Sequence, residues 1–545
     1  MRSTAAEWDR GMLRRLRLHR VRFPTTVVAL PIVSLLFAAF LTMTVGRRGR
    51  RAWKPAAIGF AALAWAAALA LVTVIPETTS VSIWRPEVVF QDRLALILDV
   101  PGWTAGFTIA ALTLAILVTE TPAAEENSRR GAAYLLVYAA LGVAASQASN
   151  LLTLAVFWSL LDLTGIAMLE GGKNPSESNG LRTRLLGSVA GTLIATAAVL
   201  GLPAAGRGTE LTLVAAQPYS AYLFLAGVAV RIAASSIPVF LAEAENRRSA
   251  ALALTVALPP AACLAALGRM GSSSSISPWV LVALGFLATM TGAVRWMLSG
   301  SMTGTPGVVD LTLGLVGLTT MAAVGTEGDS AAWSAGAALV LLGGVGTALA
   351  KGSRRTHRVG RAFTALVVAG LPLTAGGILV SFLARGTSPP EVTAAAAAFV
   401  GIAILAGGLW PRATEPTSDQ ARSPAGFTGV IPMAAWFLFA ATGIATHAFL
   451  ARRQDGASQL GSALGLGSLA IGAFALGRWS EASRHRAARA LRWLDPRPAW
   501  QFLTAVAGLV PRAARGVADL VEGEAALLWI YVLVVALGVA ASVGR

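Results

Sequence analysis

Lysine, cysteine and histidine are scarce in this chain of 545 residues. Its lysines are Lys54, Lys173 and Lys351, so arginine supplies nearly all of the 44 basic side chains. A single cysteine, Cys263, excludes a disulfide within the chain and a metal centre built from several cysteines. The four histidines lie far apart in sequence and do not favour a histidine metal site. Since no nucleotide-binding loop or catalytic triad is seen either, we expect no metal, no cofactor and no catalytic centre.

Charged residues are also few. They make up 13% of the chain, against about a quarter in soluble domains, and 55% of the residues are hydrophobic. Apolar runs of the roughly 20 residues that cross a bilayer recur along the chain, and inside lipid such runs must be helices. The sequence therefore predicts an all-α polytopic membrane protein with about 16 transmembrane helices. The predicted spans are 24–46, 56–76, 102–120, 131–146, 149–170, 182–202, 218–241, 249–268, 278–299, 306–325, 332–350, 361–384, 391–410, 426–451, 458–478 and 522–543.

The spans and the polar segments between them define the expected organisation of the chain. The regions are a basic N-terminal tail (1–23), three spans with an outer-face hairpin (24–130), a first five-helix repeat (131–268), a second five-helix repeat (278–410), two peripheral spans (426–478), an amphipathic surface helix (479–518) and a final span (522–545).

Three connecting segments have features of their own. The polar turn Ser146–Asn150 joins the fourth and fifth spans closely enough to predict a helical hairpin. The segment 77–101 is a candidate for a small hairpin outside the membrane. Arginines recur at helical spacing in 480–518, which predicts a basic helix on the membrane surface. The alternative for this last segment is a brace that packs along neighbouring subunits.

Loop charges predict the orientation. Loops after odd-numbered spans hold 26 basic residues and loops after even-numbered spans hold seven, so the first set is expected in the cytoplasm. The net charge of +17 thus follows the positive-inside rule and gives no reason to expect nucleic acid. The tail 1–23 disagrees, because it carries seven arginines on the predicted outer side. Either a partner holds this tail or the number of spans is wrong by one. No cleavage site of a signal peptide follows the tail.

Two ionisable side chains lie well inside predicted spans. Asp162 is in the fifth span, and Arg231 is about two-thirds of the way along the seventh. A charge inside the membrane costs several kcal/mol unless it is paired or hydrated, so both residues are candidates for an ion pathway. If they lie on neighbouring helices they could form a pair that gates a proton. Two other interpretations stay open: a static pair, since arginine keeps its proton, and an Arg231 side chain that extends to the membrane surface.

Other charged residues lie near span ends. Glu243 and Glu245 follow the seventh span beside two arginines, which favours a solvated helix end, although Glu243 is kept as an ion-pathway candidate. Arg295 and Asp310 flank the loop between the ninth and tenth spans, and both are expected at the membrane interface.

Prolines inside spans predict broken helices. Pro238 ends the seventh span, Pro259 and Pro260 interrupt the eighth, and Pro372 with Gly376 interrupts the twelfth. Proline removes a helical hydrogen bond and frees a carbonyl that can solvate ions or water. Breaks at corresponding places in two halves are typical of inverted-repeat transporters, here spans four to eight and nine to thirteen. Kinks that serve only packing are the alternative for any one proline.

At these residues the chain resembles the antiporter-like membrane subunits of respiratory complex I, membrane-bound hydrogenases and Mrp-type cation/proton antiporters. Asn150 begins an Asn-Leu-Leu stretch that leads to Trp158, Pro238 follows the helix that carries the family's lysine, and Pro372 with Gly376 is similar to the family's broken twelfth helix. The number of spans is most similar to that of the largest antiporter-like subunit of complex I. The resemblance implies inverted repeats, proton-carrying groups inside the membrane and membership of a multi-subunit complex.

The channel residues of that family are largely replaced. Its glutamate after the tryptophan is Ser159 here, and Asp162 lies about one turn further on. Its seventh-helix lysine falls on Ala233, with Arg231 as the nearest cation, and its following histidine is Phe240. No Lys, His or Glu in the tenth to twelfth spans matches the second half-channel.

Three functions therefore stay open. The first is an antiporter-like subunit of a larger, redox-driven proton- or cation-translocating complex in the inner (plasma) membrane, with Asp162, Arg231, Glu243 and Ser159 as channel groups. The second is the same subunit without conduction, kept as a scaffold. The third is a stand-alone secondary transporter. The first two imply other membrane subunits as partners, lipid around them, and no nucleic acid.

Overall fold

The computed structural model describes the ranges 25–48, 53–75, 77–80, 93–119, 126–170, 175–202, 209–235, 250–270, 275–298, 305–324, 330–349, 362–372, 374–414, 444–446 and 464–472, with single residues at 442 and 450. Its internal contacts divide the chain into Met1–Trp479 and Ser480–Arg545, and all described residues belong to the first unit. The predictions for the tail 1–23, the surface helix 479–518 and the final span 522–545 lie outside the described residues.

The described part is a bundle of helices joined by short segments. The helices are α1 (Leu30–Arg48), α2 (Trp53–Ala70), α3 (Val100–Thr119), α4 (Glu126–Ser146), α5 (Leu151–Glu170), α6 (Pro175–Thr196), α7 (Leu211–Ala216), α8 (Pro218–Ser235), α9 (Ala250–Met270), α10 (Pro278–Leu298), α11 (Thr305–Val324), α12 (Ser330–Leu349), α13 (Ala375–Leu383) and α14 (Pro389–Thr414). Within these ranges ten helices are long and apolar enough to cross a membrane. The chain is a multi-pass membrane protein.

Burial separates central helices from peripheral ones. The side chains of α3, α9 and α11 are almost entirely buried against other helices. By contrast, α1 and the 3-10 helix Ala197–Gly201 that follows α6 expose large apolar side chains, such as Phe40 and Leu200. An apolar outer surface is what helices facing lipid or membrane partners require.

The twelfth predicted span is broken, as expected. A helical segment at 362–368 ends in a turn in which Gly370 has a φ of +90°, a left-handed conformation that suits glycine. The amide of Leu371 donates to Leu366 O (2.8 Å), and Pro372, which has no amide hydrogen, lies in the gap. The chain restarts at α13, where the Thr374 hydroxyl accepts from the amide of Gly377 and Gly376 is the second helical residue.

The break predicted at Pro259 and Pro260 is wrong. Both residues lie inside α9, which runs without interruption from Ala250 to Met270. The helix can keep its course because both prolines are fully enclosed by neighbouring helices, and the carbonyl of Thr255 that Pro259 leaves free finds other donors. Pro238 lies outside the described residues.

Segments that follow even-numbered spans meet at one end of the bundle. The strands β1 (Glu77–Ser80) and β2 (Ala95–Leu98) form an antiparallel pair, as a hairpin in 77–101 requires, and its place outside the membrane stays a prediction. Backbone hydrogen bonds connect the hairpin and the later segments in sequence. Ile97 N donates to Gln147 O (2.7 Å), Leu151 N donates to Thr209 O (2.9 Å), and Ser275 N donates to Ala215 O (3.1 Å). We call this set of segments the loop cap. When successive helices cross a membrane in opposite directions, every second connection lies at the same end, as these segments do.

Candidate functional site

An ion pair joins α5 to α8 inside the bundle. Nη1 of Arg231 donates to Oδ2 of Asp162 and Nη2 donates to Oδ1, both at 2.8 Å. This arrangement uses both oxygens of the carboxylate and both terminal nitrogens of the guanidinium, which is the geometry that arginine and carboxylate favour. The predicted pairing of Asp162 with Arg231 is therefore confirmed.

The Arg231 guanidinium has further partners on two helices. Its Nη1 donates to the Thr192 hydroxyl (2.8 Å) and to Ser188 O (3.3 Å) on α6, and its Nη2 donates to Trp158 O (3.3 Å) on α5. The guanidinium carbon also lies 4.6 Å from the centre of the Trp158 ring, within range of a cation–π contact. These contacts fix the cation among three helices.

Small residues allow α6 and α8 to approach closely enough for this contact. A Cβ atom on Gly191 would lie 2.8 Å from the backbone nitrogen of Arg231, and one on Gly187 would lie 2.7 Å from Cβ of Ala234. Glycines four residues apart are a common means of close helix packing in lipid. The site thus depends on residues of α6 that carry no functional group.

Burial makes the pair a closed unit. The Arg231 side chain is 1% exposed and that of Asp162 is 10% exposed. The interpretation in which Arg231 extends to the membrane surface is therefore wrong, because the side chain is buried and both terminal nitrogens of its guanidinium donate inside the bundle. A guanidinium keeps its proton at physiological pH, so only the carboxylate of the pair could take up and release a proton.

A second polar contact lies beside the pair. The Thr255 carbonyl, which would bond to residue 259 if that residue were not proline, accepts from the Tyr138 hydroxyl (3.2 Å) and from Nη2 of Arg184 (2.6 Å). Tyr138 is buried in α4 and lies within electrostatic range of Arg184, Asp162 and Arg231. Pro259 therefore leaves a carbonyl free for side chains of other helices, even though it does not break α9.

Arg295 and Asp310, both expected at the membrane interface, form an ion pair in the second half. Oδ1 of Asp310 lies 3.0 Å from Nε of Arg295, and the two side chains are 4% and 16% exposed. The Asp310 side chain is thus buried between helices, and its place at the membrane interface stays a prediction. The pair forms where α10 and α11 pack closely: a Cβ atom on Gly292 would lie 2.6 Å from the carbonyl oxygen of Asp310.

A third pair fastens the loop cap. Arg269, at the end of α9, donates from Nε to Oδ2 of Asp99 and from Nη2 to Oδ1, both at 2.8 Å, and also donates to the Ser146 carbonyl. Sequence reasoning counted Arg269 only as a loop charge. Its position between α9 and the junction of β2 with α3 could not be read from spacing, since 170 residues separate it from Asp99.

The remaining candidates do not join the Asp162–Arg231 pair. Ser159 lies on an exposed face of α5, and its hydroxyl donates to Ala155 O of the same helix (2.8 Å). Glu243 lies outside the described residues. In the described part of the chain, His, Cys, Asp and Glu side chains do not gather in groups of three or more that could hold a metal ion. Cys263 is buried.

Comparison with known proteins gives the fold. No family model and no curated protein matches the sequence. A chain of the Mrp complex from Dietzia sp. is similar over 94% of this chain and 63% of its own length, at 16% identity and a TM-score of 0.68. A chain of an archaeal membrane-bound sulfane sulfur reductase is similar over 94% and 99%, at 14% identity and 0.62. The chain has the fold of an antiporter-like membrane subunit.

The chain is also similar to a chain of respiratory complex I from Thermus thermophilus. The similarity covers 76% of this chain and 97% of that chain, at 18% identity and a TM-score of 0.56. The chain spans less than two thirds of the Mrp-complex chain that it matches. Identities of 14–18% establish a common fold without carrying over individual residues, so the roles of Asp162 and Arg231 must be argued from their own geometry.

Proposed function

We propose that this chain is an antiporter-like integral membrane subunit of a larger proton- or cation-translocating complex of the inner (plasma) membrane. The single observation that carries the proposal is the closed Asp162–Arg231 pair between the fifth and seventh spans. Burying ionisable side chains inside a membrane bundle costs free energy that folding alone does not require. The pair therefore marks a functional site. The shared fold supports the proposal, because the similar chains belong to multi-subunit membrane complexes.

The driving reaction, in this proposal, takes place in a partner. The sequence has a single cysteine and no nucleotide-binding loop, so redox or nucleotide chemistry must come from other subunits. Exposed apolar side chains on the peripheral helices offer the surface that membrane partners and lipid would cover. We also propose that spans four to eight and nine to thirteen are inverted repeats, because the fourth helix of each unit carries a proline, Pro238 in one and Pro372 in the other.

One specific observation favours a second candidate, a subunit that has lost conduction and acts as a scaffold. Arg231 donates to Asp162, Thr192 and two backbone carbonyls, and as an arginine it retains its proton. A pair held in this way can stabilise the bundle without taking part in transport.

Isolation of the tagged chain in a mild detergent tests the assembly. Membrane subunits that co-purify in fixed proportion, identified by mass spectrometry, are the expected result. A chain that purifies alone and moves an ion or small solute in vesicles by itself would instead identify a stand-alone transporter.

Ion flux in vesicles that contain the intact complex separates the first two candidates. Asp162→Asn removes the only group of the pair that can exchange a proton, so we expect this variant to lose flux. Thr164→Ala, whose hydroxyl donates to the Leu160 carbonyl of the same helix, is the matched control and should keep the full flux. Undiminished flux in Asp162→Asn would select the scaffold.

A further inference from the structure

Arg184 lies on the same face of α6 as the groups that hold the ion pair. Arg184, Ser188 and Thr192 are four residues apart, which aligns them on one helix. Since Arg231 donates to both Ser188 O and the Thr192 hydroxyl, Arg184 lies one or two turns from the pair, about 6–12 Å along the helix axis. It begins the apolar part of α6, at the end where the loop charges predict cytoplasm.

The Arg184 side chain is turned into the bundle and fixed there. Its Nη2 donates at 2.6 Å to the Thr255 carbonyl, which is available only because residue 259 is proline. The Tyr138 hydroxyl donates to the same carbonyl at 3.2 Å. The Tyr138 ring also packs against Gly165, one turn after Asp162, where a Cβ atom would lie 3.2 Å from its Cε2. Tyr138 thus lies between Arg184 and the ion pair.

This cluster has an excess of positive charge. Within the described residues Asp162 pairs with Arg231, and the acceptor of Arg184 is a neutral carbonyl. Among the described side chains of this cluster, two guanidiniums and one carboxylate leave a net charge of +1. In a site of low dielectric, an uncompensated fixed cation repels other cations strongly, and arginines exclude protons and cations from pores in this way.

We propose that Arg184 is a charge gate, whose guanidinium keeps cations and protons away from the Asp162 carboxylate on the side of the N-terminal end of α6. The Thr255 carbonyl holds the gate in place, and Tyr138 fills the space between the gate and the pair. This inference deepens the proposed function, because a gate has a purpose only where Asp162 lies on an ion path. A subunit with such a gate would stay closed to passive leakage until a movement of α6 or α9 withdraws the arginine.

A structural role for Arg184 would require only a hydrogen-bond donor to the Thr255 carbonyl. Glutamine can donate that bond but has no charge, whereas lysine keeps the charge. The substitutions Arg184→Gln and Arg184→Lys therefore separate the gate from a purely structural contact.

Passive proton flux through the full-length chain in lipid vesicles, driven by an imposed membrane potential and followed with a pH-sensitive dye, tests the gate. We expect Arg184→Gln to increase the flux about tenfold, the order expected for losing one nearby charge at an effective dielectric constant of about 20. Arg184→Lys, Tyr138→Phe and the exposed-arginine control Arg130→Gln should stay as tight as the parent chain. The double variant Arg184→Gln with Asp162→Asn should be tight again, because the path leads to the carboxylate.

A second variant guards against misfolding of Arg184→Gln. Ser188→Asp cancels the excess charge one turn away while Arg184 stays in place, so it should leak as well. Tight vesicles with a well-folded form of either variant, or a leak in Arg184→Lys equal to that in Arg184→Gln, would overturn the gate. The assay needs no partner subunit. Failure of the gate is therefore distinguishable from failure of the proposed function, which would appear as the absence of co-purifying subunits and of driven flux.

Discussion

Arginine in place of lysine changes what a buried ion pair can do. A lysine in a membrane can lose its proton, whereas an arginine keeps it, so the pair with Asp162 cannot open by deprotonation of its cation. The bidentate geometry of the pair and its bonds to α6 make its separation costly. Burial raises this cost, because an unpaired charge in the bundle lacks both water and partner.

A comparison of single and double substitutions measures how far the two charges depend on each other. Asp162→Leu leaves a buried guanidinium without its carboxylate and should lower the free energy of unfolding by about 3–5 kcal/mol. The double variant Asp162→Leu with Arg231→Met leaves no unpaired charge and should recover most of that loss. Thermal unfolding of the purified protein in detergent provides the measurement. A double variant less stable than the single one would show that the two charges act independently.

Helix packing at the scale of single elements is governed by small residues. Gly191 on α6 faces the backbone of Arg231 on α8. A Cβ atom on Gly285 of α10 would lie 2.9 Å from the carbonyl oxygen of Gly317 on α11, so both approaches need hydrogen in place of a methyl group. The proline pair in α9 shows the opposite principle. An apparent breaker is tolerated where neighbouring side chains bond to the carbonyl that it frees.

Two glycine substitutions test the packing of α6 on α8. Gly191→Ala places a methyl group 2.8 Å from the nitrogen of Arg231, which must push the helices apart and should cost about 1–3 kcal/mol of stability. Gly59→Ala in α2 is the matched control, because its new methyl group meets open space and alanine is the better helix former. We expect a lower unfolding temperature for the first variant and an equal or higher one for the second. Equal values in both would mean that the close approach contributes nothing.

The whole molecule is organised by alternate crossing of the membrane. The loop cap brings together the segments after the second, fourth, sixth and eighth spans, all of which the loop charges assign to the outer face. The Asp99–Arg269 pair joins α9 to the loop cap, so at least one of the few arginines at this end has a structural role.

Labelling of single introduced cysteines tests the predicted orientation. Ser275→Cys at the loop cap should react with a membrane-impermeant maleimide on intact cells, whereas Arg130→Cys at the other end of α4 should react only after permeabilisation. Both native side chains are exposed, and the natural Cys263 is buried, so background labelling should be low. The reverse pattern would invert the orientation of the protein, and reaction of both from outside would contradict the number of spans.

The amino-acid sequence by itself determined the class of the protein and most span positions. It also predicted a hairpin in 77–101 and the break at Pro372, and it made Asp162 and Arg231 candidates for a pair. These features follow from local rules: the length of apolar runs, the missing amide of proline and the cost of a lone charge in lipid. Only the tertiary structure decided that Pro259 stays inside a helix and that Arg184 turns inward. The same holds for the pairs of Asp310 with Arg295 and of Asp99 with Arg269. Each of these depends on which distant helix supplies a donor, and in a chain of many similar apolar helices spacing along the sequence does not specify the neighbours.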